Sequence, residues 1–211
     1  MKILLVDDHA IVRRGLRELL AEEFPSAEFG EGSNAAQALQ LVMAKKWDVM
    51  VLDVTMEGRS GLDVLKDIRK AKPTLPVLMM SMHPEDQFAV RALKGGASGY
   101  LTKETATEEL VKAVRKVLTG RKYVSAGLAE KLALGLDDGR KEGSLPHEVL
   151  SDREFEVMRL IASGKRIKEI GAQLSLSVKT ISTYRTRILE KMNMTNNAQL
   201  THYSITHGLA E

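Results

Sequence analysis

Short apolar runs of strand type lie at 2–6, 26–31, 48–53, 76–80 and 98–101, the second only weakly apolar. Runs of this length bounded by turn residues mark strands buried in a sheet. Amphipathic segments near 9–24, 33–45, 61–71, 84–95 and 105–119 alternate with them. Five strand-then-helix units predict an α/β fold, a doubly wound five-stranded parallel sheet, because right-handed crossovers put helices on both faces. Ser33-Asn34 marks the start of the second helix and Pro84-Glu85-Asp86 that of the fourth, with Thr107-Glu108-Glu109 in the first turn of the fifth. Met79, Met80 and Met82 read as core filler, and Gly95-Gly96 with Gly99 as a tight helix-to-strand turn.

The pattern weakens after Gly120. A short helix is expected at 125–134, followed by a polar, Gly-containing linker at 135–144. From 151 onward only helical periodicity is present: Ser151 to Ser163, Lys165 to Leu174, Ser177 to Met192 and Asn196 to His207. Ser151-Asp-Arg-Glu154 is a capping-box pattern, and Gly164 and Gly208 stand where helices end. The chain therefore divides into 1–120, a connection at 121–146, and a second, smaller all-α domain at 147–211.

Charge sharpens this division. Residues 1–120 carry 17 basic and 17 acidic side chains, whereas 165–191 carry seven basic against two acidic, so the net +3 of the 211-residue chain reflects a local patch. Such a patch fits nucleic acid, an anionic membrane surface or an acidic protein. No run approaches the roughly 18 apolar residues of a membrane span. The four apolar residues before Asp7-Asp8 are too short for a signal-peptide core. The absence of cysteine excludes disulfides, thiolate zinc sites and cysteine nucleophiles, and a cytoplasmic location is expected.

In a doubly wound sheet, ligands bind outside the carboxyl ends of the strands. Asp7 and Asp8 follow the first strand, Asp53 ends the third, Ser81 ends the fourth and Lys103 follows the fifth, so all five converge on one crevice. Three neighbouring carboxylates repel unless a cation sits among them, and an all-oxygen site suits Mg²⁺. Phosphoryl transfer onto an aspartate is the implied chemistry, with metal and lysine neutralising the transferred oxygens. Each member has an ordinary alternative: Asp8 could cap the first helix, Ser81 could cap the fourth, and Lys103 could be a solvated loop lysine. His83 could carry a phosphoryl group or simply stand at a helix entry.

LLVDDH at 4–9, VMVLDV at 49–54, MMSMHPEDQ at 79–87 and GASGYLTK at 96–103 resemble the receiver domain of two-component response regulators, which has a flavodoxin-like fold. The resemblance implies Asp53 as phosphoacceptor, Asp7 and Asp8 as the Mg²⁺-binding pair, and the Thr55 carbonyl as a further metal ligand. It also implies Ser81 and Lys103 as contacts to phosphoryl oxygens, and Tyr100 as an aromatic switch that turns inward as Ser81 moves. The family's Asp-x-x-x-Pro-Gly pattern is broken here by Glu57 before Gly58.

Lys165 to Met192 reads as two helices joined by Leu174-Ser-Leu-Ser177, a helix-turn-helix layout. The second helix should expose Lys179, Thr180, Ser182, Thr183, Thr186 and Arg187, and bury Val178, Ile181, Ile188, Leu189 and Met192. Small hydrogen-bonding residues can reach base edges while Lys179, Arg185 and Arg187 hold phosphates. A helical bundle with a solvated basic face is the alternative. LSDREFEVMRLIASGKRIKEIGAQLSLSVKTISTYRTRILEKMNMTNNAQL at 150–200 resembles the LuxR-type DNA-binding domain of NarL/FixJ-class regulators. This implies a recognition helix at 177–192, structural pairing of Glu154, and dimer contacts on the last helix through Gln199, Leu200 and Tyr203. Tyr184 stands where that family commonly has His and Ser182 where it often has Lys. The implied partners are a sensor histidine kinase and double-stranded DNA, bound as a homodimer, with no membrane. An Asp-dependent phosphohydrolase lacks a carboxylate at Thr55 to act as acid, and a never-phosphorylated binding regulator has Glu57 in its favour.

Overall fold

A computed structural model describes residues 1–82, 85–130 and 145–210, with 85–87 described by backbone alone. The chain divides into two compact units, Met1–Gly139 and Arg140–Glu211. In the first, β1 (Lys2–Val6), β2 (Glu28–Gly32), β3 (Val49–Asp53), β4 (Val77–Ser81) and β5 (Gly99–Thr102) pair in parallel in the order β2-β1-β3-β4-β5. Strand order reverses at β1, between β2 and β3. The C-terminal ends of β1 and β3 are therefore neighbours at the crevice where such sheets bind ligands. Residues of β3 and β4 are buried throughout, as expected of strands covered on both faces.

The helices are α1 (Ala10–Glu23), α2 (Ala35–Ala44), α3 (Gly61–Ala71), α4 (Glu85–Lys94) and α5 (Ala106–Leu118). Leu16 and Leu20 of α1 and Leu110, Ala113, Val114 and Val117 of α5 close over Ile3, Leu5, Val49, Val51, Leu78 and Met80. α2 and α3 contact each other. Asn34 caps α2 by accepting from the Gln37 amide at 2.9 Å. His9, not Asp8, occupies the N-cap position of α1, and its side chain makes no cap bond. Met79 and Met80 are core, whereas Met82 is 66% exposed because the strand ends at Ser81. Gly96, at φ 97°, makes the predicted turn into β5.

The first unit continues past residue 120. The Tyr123 amide donates to Ser98 O at 2.8 Å, Tyr123 forms a parallel bridge with Gly99, and Leu128 is buried. Residues 126–130 are helical. The remainder of the helix expected at 125–134, the linker at 135–144, His83 and Pro84 lie outside the described residues.

The second unit consists of a short 3-10 turn (Pro146–Val149) and helices α6 (Asp152–Ala162), α7 (Ile167–Gln173), α8 (Val178–Lys191) and α9 (Asn197–Thr206). The Ser151–Glu154 capping box is formed at both ends. Between α7 and α8 the chain turns through Ser175 at φ 51°, and the Leu176 amide donates to Gly171 O at 2.8 Å. A Cβ at Gly171 would meet the Leu176 carbonyl, so glycine sets how closely the turn approaches α7. Among the described residues no helix is long and apolar enough to cross a membrane.

Candidate functional site

The acidic crevice is built by strand ends. Asp7 continues β1, its amide bonded to Gly32 O at 3.2 Å, and its side chain is fully buried. Arg13, one turn into α1, donates to the Asp7 carbonyl at 2.6 Å and lies 3.5 Å from Glu31 Oε2, which fixes the strand end against β2. Asp53 ends β3 at 1% exposure. Its carbonyl is so close to the start of α3 that a Cβ at Gly61 would overlap it, so glycine there lets α3 begin directly behind the carboxylate.

Lys103 reaches in from the loop after β5, where its amide donates to Ser81 O at 2.7 Å. Its Nζ lies 2.6 Å from Asp7 Oδ2 and 3.2 Å from Asp53 Oδ2, with the side chain 9% exposed. Ser81 and Tyr100 are both fully buried. Asp8 Oδ2 accepts from the Glu57 amide at 2.9 Å, tying the loop after β3 to the acidic pair. A proline at 57 would have no amide hydrogen to give. Asp8 thus does not cap α1, and the backbone of the departing residue supports the site. The sequence expectation placed Asp7, Asp8, Asp53, Ser81 and Lys103 on one edge, and the structure brings all five there. His9 and the Glu57 amide join them. Periodicity marks neither of them, although a histidine beside two aspartates is a readable signal.

Electrostatics follow from this crowding. Burial, and then the charge of Asp7, push the Asp53 carboxyl up to about 7, against the pull of Lys103. Burial alone would lower the Lys103 ammonium, but Asp53 and Asp7 outweigh it and raise it. Asp53 Oδ1 and the Thr55 hydroxyl are buried without hydrogen-bond partners. One donor atom each from Asp7, Asp8, His9 and Asp53 falls within 4.8 Å of all the others. Unpaired buried carboxylate oxygens at this spacing fit a hard divalent cation.

The basic helix is α8. Ser177 caps it, accepting from the Thr180 amide at 3.0 Å. Ile181, Ile188, Leu189 and Met192 are buried, but Val178 is 47% exposed, because it sits in the first turn before the helix meets the bundle. Lys179, Thr183, Thr186 and Arg187 are exposed, while Thr180, Ser182 and Tyr184 are half-buried. The Ser182, Thr183 and Thr186 hydroxyls bond back to carbonyls one turn earlier. Arg185 is not a free cation: its Nε donates to Asn197 Oδ1 at 2.7 Å and ties α8 to α9. Lys191 is likewise held 2.6 Å from buried Glu154, the structural pairing expected of that residue. On α9, Gln199 is exposed and Tyr203 half-buried, its hydroxyl 2.8 Å from His147 Nδ1. Leu200 is fully buried. Its side chain holds α9 onto its own bundle, which corrects its assignment as a contact to a second copy.

A parallel sheet with an acid-and-lysine crevice, followed by a capped helix-turn-helix, defines a receiver joined to a DNA-binding output domain. Residues 3–115 match the response regulator receiver domain family, and residues 148–204 match the luxR family of bacterial regulatory proteins. The chain belongs to the response regulators of the NarL/FixJ class, transcription regulators whose DNA binding is gated by phosphorylation in two-component signalling. Response regulator UvrY of Escherichia coli is 35% identical over 99% of this chain and 95% of its own length. Response regulator GacA of Pseudomonas aeruginosa is 35% identical over 100% and 98%. Response regulator RcsB of Salmonella typhimurium is 26% identical over 96% of this chain and 97% of that one, at a TM-score of 0.58. A complex of RcsB with DNA aligns over 96% of both chains at 26% identity and a TM-score of 0.59.

Proposed function

We propose that Asp53 accepts a phosphoryl group from a sensor histidine kinase, and that this event gates binding of 177–192 to double-stranded DNA by a cytoplasmic homodimer. The signalling function resides in 1–120 and DNA binding in 147–211, with 121–146 connecting them. The observation that carries this reading is a buried Asp53 whose Oδ1 lacks a donor while Lys103 stands 3.2 Å from its Oδ2. Asp53 Oδ1 attacks phosphorus, the bond from phosphorus to the kinase imidazole breaks, and the imidazole leaves with the electron pair. Lys103 moves its charge from carboxylate to phosphoryl oxygen, and the Ser81 hydroxyl donates to another. Tyr100 packs beside Ser81's strand and passes the change to the neighbouring surface.

Asp7, Asp8, Asp53 and the Thr55 carbonyl would hold Mg²⁺, which when bound supplies the positive charge that lets anionic reactants meet. On DNA, Lys179 and Arg187 contact phosphates, while Thr183, with Thr180, Ser182, Tyr184 and Thr186 around it, faces base edges. Gln199 and Tyr203 on α9 face the second copy.

Incubation with an acyl-phosphate donor and Mg²⁺, read by intact mass, tests the reading. One stable phosphoryl group per chain is expected in wild type and none in Asp53→Asn. Continuous phosphate release would make the protein a phosphohydrolase, and no incorporation would make it a binding-only regulator. Labelling that persists in Asp53→Asn would reject the acceptor.

A further inference from the structure

His9 directly follows the acidic pair and begins α1, yet its ring does not cap the helix. Its amide donates to Asp7 Oδ1 at 2.8 Å, which folds the residue back over the crevice. Nδ1 then lies 2.7 Å from Asp8 Oδ1 and 3.2 Å from Asp7 Oδ1. The 2.7 Å approach is a close contact without hydrogen-bond alignment, since Asp8 Oδ1 has no hydrogen-bond partner. One donor atom from each of Asp7, Asp8, His9 and Asp53 lies within 4.8 Å of the rest. A single cation with bonds of about 2.0–2.2 Å spans nearly that distance between opposite ligands. Asp53, 1% exposed, supplies a buried oxygen with no donor on the same crevice. The His9 side chain is 67% exposed, so the ring can adjust by a few tenths of an ångström without disturbing the core.

We propose that His9 is a ligand of this divalent-cation site and determines its selectivity: its nitrogen adds affinity for transition-series cations and none for Mg²⁺. The inference rests on the reading of Asp7, Asp8 and Asp53 as a metal site. Mg²⁺ prefers oxygen donors and gains little from imidazole, whereas imidazole suits Co²⁺, Ni²⁺ and Zn²⁺. A site with three carboxylates and one histidine accepts Mg²⁺ through the carboxylates and holds a transition cation through all four.

The test uses chelator-stripped full-length protein, titrated separately with Mg²⁺ and with Co²⁺. Only Co²⁺ that Mg²⁺ displaces is counted, which sets aside binding to the four other histidines of the chain. His9→Gln and His9→Ala should each weaken this Co²⁺ binding by about tenfold or more. Mg²⁺ affinity should stay within about twofold of wild type. In Mn²⁺-loaded protein, electron spin-echo modulation from a coordinated ¹⁴N should be present in wild type and absent in His9→Gln. Equal Co²⁺ affinity in wild type and both variants would overturn the proposal, as would parallel loss of Mg²⁺ and Co²⁺, which would make His9 a positioning residue. If wild type binds neither cation, the metal reading falls and the proposal falls with it. If it binds both and the substitutions change nothing, only His9 is removed from the site.

Discussion

Replacing Asp53 by Asn in metal-free protein should remove a specific pH dependence from the stability of the first unit. The Asp53 carboxyl moves from 3.8 to about 7 on folding, first because it is buried and then because Asp7 is beside it. The folded state therefore binds this proton more tightly than the unfolded chain, and stability falls as pH rises between the two values. At about 1.36 kcal/mol per pH unit, full ionisation costs the fold on the order of 4 kcal/mol, of which ~2.5 kcal/mol is lost between pH 5 and pH 8. Lys103 stays protonated across that window, because Asp53 and Asp7 raise it despite burial.

Trp47 is the only tryptophan, is 8% exposed, and donates from Nε1 to Leu41 O at 2.9 Å, so its fluorescence follows the first unit alone. Urea unfolding in chelator should show wild type losing ~2–3 kcal/mol from pH 5 to pH 8 relative to Asp53→Asn. Millimolar Mg²⁺ should flatten the wild-type curve. A difference between the two proteins that does not change with pH would refute the burial-and-repulsion argument.

Glu57→Pro deletes the amide that holds Asp8 and should destabilise the first unit by ~1.5–3 kcal/mol, while Glu57→Gln should stay within ~0.5 kcal/mol of wild type. Equal stability of the two would show that the amide contributes nothing. Thr183→Ala should cost ~1–3 kcal/mol on a preferred duplex and little on random DNA, whereas Lys179→Ala should weaken both and reduce the salt slope by about one. Salt titrations on the two duplexes decide this, and equal weakening by Thr183→Ala would reverse the assumed face of α8. Leu200→Ala should lower hydrogen-exchange protection in α9 by ~2–5 kcal/mol, and unchanged protection would place the side chain at the surface.

Strand-terminal residues were the most legible part of this molecule. Asp7, Asp53, Ser81 and Lys103 each end or follow a run whose apolar character fixes its register, and parallel pairing then carries all four to one edge. The Ser151-Asp-Arg-Glu154 capping box was equally readable, since it specifies both bonds locally. Backbone donors were not legible: the Glu57 amide meets Asp8 only after two loops converge, and the side chain at 57 marks only a departure from the family pattern. Periodicity placed Val178 on the buried stripe of α8, but a helix's first turn can project beyond the bundle. The same limit hid the partners of Arg185 and Lys191, which composition counted as free cations but which are bound to Asn197 and Glu154.

Phosphorylation at Asp53 is proposed to control DNA binding. Its most direct test is the affinity of full-length protein for a preferred duplex, at fixed salt, before and after treatment with an acyl-phosphate donor and Mg²⁺, in wild type and Asp53→Asn. Treated wild type should bind more tightly, by about tenfold for a coupling of 1.4 kcal/mol, and Asp53→Asn should not respond. Equal affinity of treated and untreated wild type at one phosphoryl group per chain, or an equal gain in Asp53→Asn, would contradict it.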